Sequence, residues 1–267
     1  MATTAPVRNP IRDTLGVQPP AESLDWFNGL IFAEWGTGKT HLLGTAQDHP
    51  ETSPLLIFDV EGGVHTLSHR QDIDVVQVRD YDAFKDKINE LHDSIEYDSK
   101  TGKPSMYYKC IGVDSLTELQ SLDIGDIMDI RGDSNPNLDK DIPDPQGWNK
   151  SGAHIRKLVR VLNNLPCHVL YTCHLAEIED SLKRKVLYPM LPGKMRKTIP
   201  GFLDFVGYMK AEQEGDETVR SIQFLGTERV KVKQRNCGFD DIEINPTIPI
   251  LWDKIKVRNQ KIEEETT

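Results

Sequence analysis

AEWGTGKT, residues 33–40, decides the fold of this chain. It follows the apolar run GLIFA (29–33) and precedes HLLGTA (41–46), whose composition suits a helix. A glycine-rich loop between a strand and a helix is built to hold phosphates. Gly36 and Gly38 let backbone N–H groups converge on phosphate oxygens. Lys39 is placed to neutralise the β- and γ-phosphates, and the Thr40 hydroxyl to complete a magnesium shell. The start of the following helix adds a favourable dipole. The expected nucleotide-binding segment therefore runs through Ala33, Glu34, Trp35, Gly36, Thr37, Gly38, Lys39, Thr40 and His41, with ATP and Mg2+ as the expected ligands. Ala33 stands where the usual pattern has glycine, a small-for-small change that leaves the loop intact.

Outward from the loop, apolar runs of strand length alternate with helical patterns. The runs are PLLIFDV (54–60), IDVVQV (73–78), MYYKCIGVD (106–114) and CHVLYTCH (167–174). Runs that stay apolar, instead of alternating, belong to strands buried on both faces. Between them, Phe84, Ile88, Leu91 and Ile95 fall at helical spacing, as do Ile155, Leu158, Val159 and Leu162. This rhythm predicts an α/β fold with a mostly parallel sheet flanked by helices. After residue 200 it gives way to FVGYMKAEQ, TVRSIQFLG and RVKVKQR, separated by short turns. An antiparallel extension of the same sheet is expected there.

The 267 residues carry a net charge of −10, which argues against a protein that coats nucleic acid over its whole surface. Any nucleic-acid site must be a local patch. No run approaches the roughly 18 apolar residues of a membrane span, so a cytoplasmic protein without a membrane partner is expected. Cys110, Cys167, Cys173 and Cys237 form no CxxC pair and sit mostly in apolar runs, which predicts buried free thiols. Residues 1–22, rich in proline, are expected to form a flexible arm, 23–256 a single ATPase domain and 257–267 an acidic tail.

A phosphate loop needs a carboxylate on a neighbouring strand for the magnesium shell and a further group to orient an attacking water. IGVDS places Asp114 at a strand end and makes it the candidate metal residue. The plainer alternative for Asp114 is an N-cap of the helix predicted to follow. IFDVEGG presents Asp59 and Glu61 at another strand end, with Glu61 the candidate for polarising water. CHVLYTCH ends in His174, a candidate sensor of the γ-phosphate, with a hydrogen-bonded structural histidine as the alternative. In an open parallel sheet these strand ends face one crevice.

The order AEWGTGKT, LIFDVEGG, IGVDSLTEL, VLYTCH resembles the RecA-like recombinase core. In that core a glutamate-bearing strand follows the phosphate-loop helix, a DS-ended Walker B strand comes later, and a polar sensor ends the next strand. DVEGG together with LPGKMRKTIPGFLDFVGYM is similar to the small phage RecA-like ATPases of single-strand annealing and recombination. The resemblance covers about residues 28–240 and implies an ATPase stimulated by single-stranded DNA that assembles as a ring or filament. It places the protein in the host cytoplasm if phage-encoded, with a single-strand DNA-binding protein as a further candidate partner.

In the family, the segment after the sensor strand contacts DNA, which implies residues 175–200 here. Within 181–200 there are six basic residues, Lys183, Arg184, Lys185, Lys194, Arg196 and Lys197, and no acidic one. These are the expected phosphate contacts, with Tyr188 available for base stacking. A solvated hairpin or a protein-binding loop is the alternative. The family's other DNA loop falls at 132–148, GDSNPNLDKDIPDPQGW, whose acidity argues against direct contact.

The family also supplies basic side chains to the ATP site of a neighbouring subunit. Lys233 and Arg235 of RVKVKQR match those positions and, with Lys231, would share one face of a strand. Charge protecting an edge strand is the alternative for all three. The rival function is a P-loop assembly or switch ATPase with a protein partner and no DNA. A small-molecule kinase is disfavoured because no Arg-rich lid stands out.

Overall fold

The computed structural model describes residues 26–266, so the arm expected at 1–22 lies outside the described residues. The GLIFA run forms β1 (Asn28–Ala33), and the phosphate loop passes from it into α1 (Lys39–Gly44). β2 (Leu55–Asp59) and β3 (Asp74–Gln77) follow. Then α2 (Tyr81–Asp93) begins at Asp80, whose carboxylate accepts the Ala83 N–H at 2.7 Å. A two-residue pair, β4 (Glu96–Tyr97) and β5 (Pro104–Ser105), precedes β6 (Cys110–Asp114). The strand expected over 106–114 thus starts four residues later.

α3 (Leu116–Ser134) and α4 (Pro145–Asn163) lead to β7 (His168–Glu179), which outruns the predicted CHVLYTCH and pairs with β8 (Lys185–Pro189) in a hairpin. The short helix α5 (Met195–Thr198) and a single 3-10 turn (Ile199–Phe202) connect to β9 (Phe205–Glu214) and β10 (Glu217–Gln223). β11 (Lys233–Gln234), β12 (Ile242–Ile244) and α6 (Ile248–Thr266) close the chain. One expectation is corrected here: RVKVKQR is a strand only at Lys233–Gln234.

The sheet order is β12-β10-β9-β1-β7-β6-β2-β3, with β9 through β3 all parallel and β10 and β12 antiparallel at one side. Helices cover both faces, which explains why the central strands β1, β2 and β6 are buried at nearly every position. Leu30 and Phe32 point into one core with Phe58, Val113, Phe84, Leu119 and Leu158. Ile31 and Ala33 point into the other, with Leu42, Leu43, Ile57, Phe205 and Leu251. This is the two-residue alternation of a strand feeding two hydrophobic layers. α6, unassigned in the sequence, buries Ile248, Leu251, Trp252 and Ile255 at helical spacing in the second core. All of Cys110, Cys167, Cys173 and Cys237 are buried free thiols, as expected.

Candidate nucleotide site

The loop between β1 and α1 is closed by its own side chains. Thr37 Oγ1 donates to the Glu34 carbonyl at 2.8 Å, and Lys39 Nζ donates to the carbonyls of Glu34 at 3.1 Å and Ala33 at 3.4 Å. Gly36 (φ 75°) and Gly38 (φ 101°) adopt left-handed backbone, which is why those two positions require glycine. Lys39 is buried within the loop, whereas Trp35 stands clear of it at 82% exposed, and His41 faces solvent.

Parallel registration brings the remaining groups to the same end of the sheet. Asp59 lies opposite Asp114, and Ala33 opposite His174. Asp114 Oδ2 accepts the Thr40 hydroxyl at 2.5 Å, and its Oδ1 accepts the hydroxyl of Thr172. The carbonyl of Asp114 also accepts the N–H groups of Val60 at 2.7 Å and Glu61 at 3.0 Å, tying the DVEGG turn to the β6 end. The helix that follows is capped by Ser115, whose hydroxyl accepts the Glu118 N–H at 3.4 Å, so the N-cap alternative for Asp114 does not hold.

Asp59 serves the turn. Its Oδ1 accepts the N–H groups of Gly62 at 2.9 Å and Gly63 at 3.1 Å, while its buried Oδ2 has no partner among the described residues. Burial pushes the Asp59 carboxyl above its ordinary range, and the adjacent Asp114 charge adds to that against the pull of the glycine N–H groups. A Cβ at Gly63 would lie 3.3 Å from Thr40 Oγ1 and 3.8 Å from Asp114 Oδ2, so the turn fits closely over that pair.

These residues fit a magnesium ion. A hydroxyl and a carboxylate side by side, with an orphaned carboxylate oxygen on the neighbouring strand, suit a cation that keeps several waters and phosphate oxygens. Among the described residues no cluster of three or more His, Cys, Asp or Glu side chains could cage a metal by itself. Thr40 and Asp114 would hold the ion.

His174 gathers the acidic groups. Its Nε2 lies 3.4 Å from Glu61 Oε1 and 3.8 Å from Glu118 Oε1, and its backbone N–H donates to Thr117 Oγ1 at 3.0 Å. Glu61, just past β2, thus meets His174 within β7, while Asp114 at the end of β6 meets Thr40, the neighbour of Lys39 in α1. Sequence reasoning missed Glu118, Thr172 and Arg220. Ser115-x-x-Glu118 carries a capping-box signal, but the Glu118 side chain turns to His174. Arg220, on β10, donates through Nε to the Thr37 carbonyl at 3.1 Å, a contact across 183 residues that local pattern does not announce.

Residues 27–236 match the AAA domain family. The chain belongs to that family. Strand order, phosphate loop and strand-end carboxylates give this AAA domain the α/β architecture of a P-loop nucleotide-binding domain. Solved structures similar to it include the RadB recombinase, at 10% identity over 88% of this chain and 91% of that one with a TM-score of 0.48. A KaiC-like protein from Pyrococcus horikoshii matches at 12% identity over 82% and 89%, with a TM-score of 0.40. The flagellar accessory protein FlaH from Methanocaldococcus jannaschii matches at 10% over 83% and 87%, with a TM-score of 0.37. Comparison with curated proteins found no match. No helix among the described residues of the AAA domain is long and apolar enough to cross a membrane.

The basic segment of the AAA domain divides in two. At the β7–β8 hairpin, Arg184 pairs with Asp180 at 2.8 Å and with Glu228, and Lys185 pairs with Glu177 at 2.6 Å. Lys183 occupies the turn with φ 57°. The absence of acid within 181–200 therefore does not leave this end positive, because its carboxylates come from Glu177, Asp180 and Glu228. Farther on, Tyr188, Arg196, Lys197, Lys231 and Lys233 line one cavity of about 290 Å³ whose lining includes no acid. Lys194 lines another, of about 630 Å³, with Trp148 and Arg156.

Lys233 and Arg235 brace the backbone of their own chain. Lys233 Nζ donates to the carbonyls of Pro200 and Leu203, both at 2.7 Å, and Arg235 Nη2 donates to that of Gly201 at 2.7 Å. Burial, reinforced by the Arg235 charge, pushes the Lys233 ammonium below its ordinary value. Lys233 is partly enclosed, while the Arg235 side chain is exposed.

Proposed function

We propose that this AAA domain hydrolyses ATP and acts on single-stranded DNA in phage-type recombination, annealing or repair, as an oligomer with ATP between subunits. The observation that carries the reading is the convergence of Lys39, Thr40, Glu61, Asp114 and His174 at one sheet end, with an acid-free basic cavity on the same chain. Lys39 and the loop N–H groups bind the phosphates, and Thr40 and Asp114 hold the magnesium shell. Magnesium, when bound, withdraws charge from the phosphate oxygens. Glu61 orients and polarises the attacking water. His174, held between Glu61 and Glu118, sets the direction of the Glu61 carboxylate and senses the γ-phosphate.

Lys194, Arg196, Lys197 and Tyr188 are the favoured DNA contacts, with Lys183, Arg184 and Lys185 secondary. Trp148 beside Arg156 and Lys194 supplies an aromatic face to the same region, which supports base stacking there. Arg235 is better placed than Lys233 to reach a neighbouring subunit, because Lys233 is committed to its own backbone.

A protein-partnered switch ATPase is the second reading, favoured by the charge pairing of the β7–β8 hairpin. The test is ATP turnover and DNA retention with and without single-stranded DNA at two salt concentrations. Salt-sensitive retention and faster turnover with DNA are expected. No retention at low salt with unchanged turnover would leave the protein-partnered reading standing.

A further inference from the structure

The phosphate loop is contacted by a strand far from it in sequence. β10 places Arg220 opposite Ala211 of β9, and the Arg220 side chain reaches the loop, where its Nε donates to the Thr37 carbonyl at 3.1 Å. A Cβ built at Gly38 would lie 2.7 Å from that Nε and 3.6 Å from the guanidinium carbon. The guanidinium therefore packs against the part of the loop whose N–H groups receive phosphate oxygens.

The residue is held in position from behind. Asn245, with left-handed backbone at φ 45°, accepts the Arg220 N–H through Oδ1 at 2.9 Å and donates its own N–H to the Arg220 carbonyl at 2.6 Å. The sheet extension thus presents the side chain from a pinned point. A guanidinium has several N–H donors in a rigid fork. Apart from the bond to Thr37, no side-chain partner binds that of Arg220 among the described residues. It has no carboxylate partner there either, although acidic residues outnumber basic ones 42 to 32 in the chain.

A staple for the loop would need only a single donor, which an uncharged side chain could supply. An unpaired arginine beside a phosphate-binding loop has a better use. Magnesium and Lys39 leave part of the negative charge of ATP uncompensated, and a guanidinium fork matches the phosphate oxygens of either nucleotide in pairs.

We infer that Arg220 is a ligand of the nucleotide's phosphate chain, supplied in cis by the antiparallel sheet extension. Its anchor lies at the stretch of loop that cradles the α- and β-phosphates, so it serves ADP and ATP alike. The inference rests on nucleotide binding at this loop, and the experiment separates the two.

The experiment measures affinity for fluorescent ADP, and for ATP by competition, with the wild type, Arg220→Gln and Arg220→Lys at low and high salt. The melting midpoint of each nucleotide-free protein is measured alongside. Glutamine keeps an N–H for Thr37 while removing the charge. The expected result is an affinity about tenfold weaker for both nucleotides in Arg220→Gln, with partial recovery in Arg220→Lys. The difference from wild type should shrink at high salt, with the melting midpoint unchanged. Equal affinity of wild type and Arg220→Gln overturns the inference and leaves nucleotide binding standing. A loss matched by a lower melting midpoint and insensitive to salt overturns it in favour of a staple. No binding by the folded wild type overturns the nucleotide reading and the inference together.

Discussion

At the carboxyl ends of β2 and β6, Asp59 and Asp114 lie side by side in register, with Glu61 and Glu118 facing His174 nearby. At the β7–β8 hairpin, Arg184 meets the carboxylates of Asp180 and Glu228, and Lys185 meets that of Glu177. The first region concentrates like charge and holds it with hydroxyls, backbone N–H groups and one histidine. The second spends its charge on opposite charge. Carboxylates crowded without cations are expensive to keep and mark a place where a cation is to be received. Paired surface charges contribute little and mark no ligand. The difference teaches that a count of charge along the sequence says less than the register that decides its partners.

The comparison can be broken at its strongest point first. Lys39→Ala should lower ATP turnover about a thousandfold by removing the one ammonium inside the loop, measured by phosphate release. Near-normal turnover would place the chemistry elsewhere. Glu61→Gln should lower hydrolysis about a hundredfold while retaining nucleotide, and Glu118→Gln should cost less than about tenfold. Equal losses in the two variants would make Glu118 a second water-orienting group. Within the basic segment, neutralising Lys194, Arg196 and Lys197 together should weaken retention of single-stranded DNA by about tenfold or more at low salt. Neutralising Lys183, Arg184 and Lys185 together should weaken it by less than about threefold, because two of those three charges are already paired. The reverse ranking would return the DNA contact to the hairpin.

The smallest expected effect concerns Asp59. Its carboxyl is raised by burial and by Asp114, so the folded state binds its proton more tightly than the unfolded state does. Its contribution to stability is therefore favourable at acid pH and is lost as pH rises through the folded value. Asp59→Asn keeps an oxygen for the Gly62 and Gly63 N–H groups and removes the charge. Its melting midpoint at neutral pH should rise by about 2 °C, and the gain should vanish in acid. A lower midpoint at neutral pH would show that the Asp59 charge, not its shape, holds the turn.

Much of this was legible in the sequence because it depends on local pattern. Glycines at 36 and 38, lysine at 39 and threonine at 40 report their own loop geometry, and apolar runs at 55–59 and 110–114 report strands buried on both faces. Glu61, Asp114 and His174 end such runs, and a parallel sheet carries strand ends to one edge. What stayed hidden depends on contacts distant along the chain. Arg220 reads as an ordinary exposed strand residue until β10 is laid beside β9. Lys233 and Arg235 look free until the backbone of 200–203 comes to meet them. RVKVKQR alternates as a strand should, yet only Lys233 and Gln234 pair with β9. The closing segment gave no local signal of role, although its apolar residues at 248, 251, 252 and 255 have helical spacing.

That closing helix has a consequence for how the protein is made. Ile248 donates its N–H to Thr45 Oγ1 at 2.9 Å, directly after the phosphate-loop helix, and Trp252 Nε1 donates to Glu51 at 2.6 Å. Leu42, Leu43 and Ala46 share one hydrophobic layer with Leu251 and Ile255. The family match ends at residue 236, before Ile248, Leu251, Trp252 and Ile255. During synthesis on the ribosome, the first-formed part of the nucleotide site waits for the distal helix to emerge before its back is covered. A fragment ending where the family match ends would expose the part of that layer that Leu251, Trp252 and Ile255 cover, beside the turn that follows the phosphate-loop helix.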